Sequence, residues 1–129
     1  MLKVSRMLMA APNLRQLAEE FIQGQHLTQV EGQCAEMAKR FSAFLSNKGL
    51  ASKIIDARNY KGHLQTVGKS NHVLAAVNGE YVDFTAKQFS PGADSIVING
   101  VQSLHKDWSI VNIYNNYQDF LANFSKDQR

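Results

Sequence analysis

The sequence predicts an α+β fold: a helical first third, then antiparallel strands, then a closing helix. Three observations carry that expectation. Apolar residues recur at helical spacing before residue 50, Asn78-Gly79 marks a tight hairpin, and a capped apolar segment follows Asn116.

Pro12-Asn13 opens the first helix, with Asn13 as N-cap and Gln16 at capping-box spacing. Leu14, Leu17, Ala18, Phe21 and Ile22 give it one apolar face, and Gly24 ends it. A polar connection runs from Gln25 to Gly32. The second helix starts near Gln33-Cys34 and buries a stripe of Cys34, Met37 or Ala38, Phe41, and Phe44 or Leu45. Gly49-Leu50 reads as a left-handed C-cap with its hydrophobic contact.

Ala51 to Ala57, with Ile54-Ile55, is expected to be a strand, and Asn59 to Ser70, with Gly62 and Gly68, a loop. His72 to Val77, Asn78-Gly79, and Glu80 to Thr85 form a two-residue β-hairpin, because Asn-Gly supplies the positive φ angles of a type I′ turn. Ser90-Pro91-Gly92 is a loop. Ser95 to Asn99 and Trp108 to Tyr114 read as strands. Asn116 caps a last helix whose Tyr117, Phe120, Leu121 and Phe124 share a face.

The 129 residues fit one domain, 1–129, able to bury roughly two-thirds of its unfolded surface without a disulfide or metal. A hydrophobic content of 44% with 19% charged residues is globular. No apolar run approaches the ~18 residues of a membrane span, and the start is too short in apolar core for a secretory signal. The single cysteine, Cys34, excludes an intramolecular disulfide and a multi-cysteine zinc site. It suits a reducing compartment. His26, His63 and His105 lack metal-ligand spacing, so no metal is expected.

A net charge of +3 raises the question of nucleic acid. The fourteen basic residues are scattered among eleven acids, and no basic stripe or aromatic interleaving appears. One local bias remains: Arg58, Lys61 and Lys69 share a stretch with no acid between Asp56 and Glu80. That stretch leads into His72, so these cations are candidate contacts for an acidic protein substrate.

The hairpin register carries the chemistry. It pairs Val77 with Glu80, Ala76 with Tyr81 and Leu74 with Asp83. His72, Leu74, Ala76, Tyr81, Asp83 and Thr85 then share one sheet face, while Val73, Ala75, Val77, Val82 and Phe84 take the other. His72 and Asp83 become diagonal neighbours, with side chains in reach of each other. An aspartate placed so fixes the tautomer of an imidazole and leaves its other nitrogen for a nucleophile. Cys34, in the first turn of a helix, meets free N–H groups and the positive end of the dipole, which favour a thiolate and can receive an oxyanion.

These residues resemble the transglutaminase-like and papain-like cysteine enzymes. Gly32-Gln33-Cys34 is similar to the Gly-Gln-Cys at the nucleophilic helix of animal transglutaminases. The helix that continues through Ala38, Phe41 and Phe44-Leu45 to Gly49-Leu50-Ala51 is similar to that family's helix and its exit into a strand. His72-Val73, a Gly-containing turn, then Val82-Asp83-Phe84-Thr85 is similar to its His-to-Asp hairpin. Asp83 to Phe89 resembles a D-x-T-x-x-Q-F stretch of small bacterial papain-fold toxins and glutamine deamidase effectors, which share the compact spacing. Phe84 stands where the family has proline, Ala35 where a Trp often follows the cysteine, and Thr28 where papain places its oxyanion glutamine.

The resemblance implies a papain-like/transglutaminase-like core, with the nucleophile-bearing helix packed on an antiparallel β-sheet. It implies a cysteine hydrolase with a Cys34-His72-Asp83 triad, acting by acyl transfer on carboxamide or peptide bonds of a protein. Glutamine deamidation leads, with proteolysis, transglutamination or a silent binding module as alternatives. The Cys34 backbone would form part of the oxyanion hole, with Gln25, Gln29 or Gln33 as the second donor. No cofactor is implied. The expected partners are a protein substrate and an inhibitor or host-target protein, with no membrane and no nucleic acid. The setting would be the cytoplasm or a target cell into which the protein is delivered.

Overall fold

The computed structural model describes residues 13–25, 34–61, 71–86 and 92–127, with side chains to residue 123. Its elements in order are α1 (Leu14–Gln23), α2 (Cys34–Asn47), β1 (Lys53–Tyr60), β2 (Asn71–Val77), β3 (Glu80–Asp83) and β4 (Val97–Gly100). A 3₁₀ turn (Val101–Ser103) leads into the short α3 (Leu104–Asp107), then β5 (Trp108–Tyr114) and α4 (Tyr117–Asp127). The fold is mixed α+β, with one antiparallel sheet in the order β4-β3-β2-β1-β5.

Local chemistry sets the ends of the helices. The Asn13 side chain accepts from the N–H groups of Arg15 and Gln16 at 2.8 and 3.2 Å, satisfying two orphan donors of α1. Gly24 closes that helix. After α2, Gly49 takes φ 84°, and Leu50 N–H donates to the Leu45 carbonyl at 2.9 Å. Leu50 then folds back on the core, completing the glycine C-cap. Asn116 Oδ1 accepts from Asp119 N–H at 2.8 Å and starts α4.

Two clusters lie on opposite faces of the sheet. On the first, Leu17, Ala18 and Phe21 of α1 and Met37, Ala38, Phe41 and Leu45 of α2 pack on Ile54, Val73, Ala75, Val82 and Phe84. The rings of Phe21, Phe41 and Phe84 meet pairwise at 5.1–5.2 Å. On the second face, Ile55, Ala57, Leu74, Ala76 and Tyr81 are roofed by Leu104 and Trp108. The Asn-Gly turn has φ 51° and 83° at its two positions, and Ala76 pairs with Tyr81 and Val77 with Glu80 as the sequence requires. The alternation read from the hairpin matches this division of faces.

Several boundaries differ from expectation. β1 begins at Lys53 rather than Ala51 and runs on to Tyr60, past the expected end at Ala57. Its last residues are held by β5, through the pairs Arg58 with Ile110 and Tyr60 with Trp108. Asn59, at φ 62°, interrupts the alternation, so Tyr60 and Trp108 join the second face. β3 stops at Asp83 rather than Thr85, and β4 is Val97–Gly100 rather than Ser95 to Asn99. α3 has no counterpart in the sequence reading. Leu121, expected on the buried face of α4, is 42% exposed.

Candidate active site

Cys34 is the first residue of α2, where helical N–H groups have no intrahelical partner. Packing of Met37, Phe41 and Leu45 against the sheet aims this end at the start of β2. Among the described residues β3 pairs with β2 over Ala75 to Val77, so β2 runs past this pairing at Val73. The Val73 backbone lies against Cys34, where its N–H favours the ionised sulfur.

His72, the neighbouring residue, is buried. Its Nε2 donates to Asp83 Oδ2 at 2.7 Å. The ring also lies beside Cys34, close enough for the charges of the two side chains to act on each other. Asp83 is held in turn: Thr85 donates to Oδ1 from its N–H at 2.8 Å and from its hydroxyl at 3.3 Å. Imidazole, carboxylate and threonine therefore form one continuous hydrogen-bonded chain, with the thiol beside the imidazole.

The electrostatics follow from this geometry. Burial alone would push the Cys34 thiol up, but the hydrogen bond and charge of His72 and the Val73 N–H outweigh it. The thiol is held below its ordinary value. Burial likewise opposes the imidazolium, yet the Asp83 charge and hydrogen bond, with Cys34 behind them, raise His72 to about 9. Both shifts favour a thiolate beside an imidazolium near neutral pH, a pair whose two titrations are coupled.

Trp108 completes the cage. Its ring stacks on His72 with centroids 5.7 Å apart and planes 20° from parallel, and Tyr60 packs on its other neighbouring surface at 5.0 Å. Ala57 pairs with His72 across β1 and β2, and its small side chain leaves room for the indole to span from β5. Sequence reasoning missed Trp108 because no local pattern says that β5 docks beside β1. The role of Thr85 was visible only as a shared face.

The remaining expected contacts are placed as follows. Arg58 lies in β1, with a side chain 23% exposed, and its Nε and Nη2 donate to Asp56 Oδ2 at 3.0 and 2.8 Å. Asp56 is fully buried, and its Oδ1 has no hydrogen-bond partner among the described residues. Lys61 Nζ donates to the His105 carbonyl at 3.0 Å. These two cations are thus hydrogen-bonded within the fold. Lys69 lies outside the described residues, as do Gln29 and Gln33. Gln25 is engaged by Arg40 at 3.1 Å.

Thr85→Val tests the support of Asp83 with little change in volume. Loss of the hydroxyl is expected to cost about 1 kcal/mol of stability, measured by urea denaturation, because the N–H bond to Oδ1 survives. An unchanged midpoint would show that this hydroxyl contributes nothing.

Among the described residues, no group of three or more His, Cys, Asp and Glu could hold a metal ion, and no helix is long and apolar enough to cross a membrane. Comparison of the chain with known family models, characterised proteins and solved structures returns no match.

Proposed function

We propose that this protein is a cysteine-dependent acyl-transfer hydrolase with a papain-like/transglutaminase-like core, acting on glutamine carboxamides of a protein. The observation that supports this reading is the buried, hydrogen-bonded pair His72–Asp83 set beside Cys34, with a lowered thiol and a raised imidazole. A cysteine that merely filled space would not need a buried, aspartate-backed imidazolium, because burying that charge is costly unless it is paired.

In this reading the Cys34 thiolate attacks the carboxamide carbon, and the carbonyl electrons move onto oxygen. Free N–H groups at the start of α2 receive that oxyanion. As the intermediate collapses, the C–N bond breaks and His72 gives its proton to the leaving nitrogen, releasing ammonia and a thioester. Water then attacks the thioester while neutral His72 takes a proton from it. The C–S bond breaks, a glutamate side chain leaves, and the thiolate–imidazolium pair is restored. Asp83 remains ionised throughout and orients the ring.

The choice of glutamine over a peptide bond rests on the likeness of the compact Cys, His and Asp arrangement to small deamidase effectors. Mass spectrometry of glutamine-bearing proteins incubated with wild type and with Cys34→Ala tests it. The expected product is a glutamine-to-glutamate conversion made only by wild type. Cleaved chains would replace deamidation by proteolysis, and crosslinks would replace it by transglutamination. No Cys34-dependent product from any protein would remove the enzyme reading.

A further inference from the structure

The second sheet face is only partly roofed. The 3₁₀ turn and α3 cover Leu74, Tyr81 and Ala57, but the hairpin end of the same face stays open between Val101 and β5. There a groove of about 510 Å³ has an apolar floor of Ile55, Ala76, Val101 and Ile113. Ile113 is 54% exposed, the largest exposure among the exposed large hydrophobics. The groove shares no lining residue with Cys34, His72 or Asp83.

We propose that this groove binds a small amphipathic carboxylate. Its volume falls within the roughly 300–1,000 Å³ of small-molecule sites, and its composition matches theirs: an apolar floor with few polar groups at the edge. Charge selects the head group. Among the described residues, Lys53 is the one charged residue lining the groove, and no carboxylate lines it. Glu80, the nearest acid in the hairpin, pairs with Val77 and so stands on the opposite face. Lys53 is exposed, and its ammonium makes no ion pair among the described residues. An anion is attracted there, a cation is repelled, and an apolar tail covers Ile113 and Val101. Asn115 offers a further hydrogen bond at the same end.

Three probes with one tail isolate the head group: octanoate, octanol and octylammonium, each titrated below its micelle concentration into the full chain and followed by amide NMR. Octanoate is expected to give saturable shifts at Ile55, Ala76 and Ile113. It should bind about threefold more tightly than octanol, the size of a half-exposed ion pair, and octylammonium should bind most weakly. Lys53→Gln should bring octanoate to the octanol value, and Ile113→Glu should weaken octanoate and octanol at least about tenfold. Both side chains are exposed, so the variants keep the fold, which circular dichroism checks. Absence of saturable shifts at these three residues, equal binding of the three probes, or Lys53→Gln leaving octanoate unchanged would overturn the proposal.

Discussion

Cys34→Ala is expected to lower turnover of a protein carboxamide by at least about 10⁴-fold, because removing the nucleophile of such a unit costs nearly as much as removing the whole unit. The variant should fold. Cys34 is half-buried and its side chain touches the core only at its border, so deleting one sulfur leaves a small defect. His72→Ala should cost nearly as much turnover, and a double variant little more, since the two residues act together. Steady-state ammonia release by the four proteins measures this. Costs that multiply in the double variant would mean that Cys34 and His72 do not share a step.

Phe41→Ala carries the largest expected effect on stability, about 3–5 kcal/mol. Phe41 is fully buried at the meeting of α1, α2 and the sheet, and its ring contacts those of Phe21, Phe44 and Phe84. Those neighbours come from α1, α2 itself and the segment just after β3 and cannot all close on the void, so the cavity cost adds to the lost transfer free energy. Chemical denaturation of the variant should show a lower midpoint with an unchanged slope. The loss should also loosen the seat of α2 and hence of Cys34. A cost below about 1 kcal/mol would mean that the core relaxes far more than this packing implies.

Much of the site was legible because its determinants are local. Asn78-Gly79 demands positive φ at two successive positions, which fixes the turn, the turn fixes the register, and the register places His72 and Asp83 on one face. The end of α2 at Asn47 follows from the glycine cap at Gly49, which is likewise local. What escaped the sequence depends on partners far along the chain. β1 extends to Tyr60 because β5 supplies its partners, and nothing near Ala57 announces that. Arg58 reads as a candidate substrate contact, and the extension of β1 that brings its side chain onto Asp56 was not legible. Trp108 looks like an ordinary strand aromatic until the order β2-β1-β5 brings it across Ala57 to His72. Leu121 fits the helical period, yet its side chain is 42% exposed.

The central claim is that His72 and Asp83 hold Cys34 as a thiolate, and the pH dependence of Cys34 alkylation tests it most directly. Iodoacetamide reacts with the thiolate alone, so its rate against pH traces the ionisation of the sulfur. In wild type the rate should rise at a pH below that of an ordinary thiol, since His72 favours the ionised form. It should then stay level until His72 loses its proton, at about 9. In His72→Ala, and less completely in Asp83→Asn, the inflection should move up toward the ordinary thiol, because burial then acts without its counterweight. A wild-type inflection at or above that of a free thiol, unmoved by His72→Ala, would contradict the account.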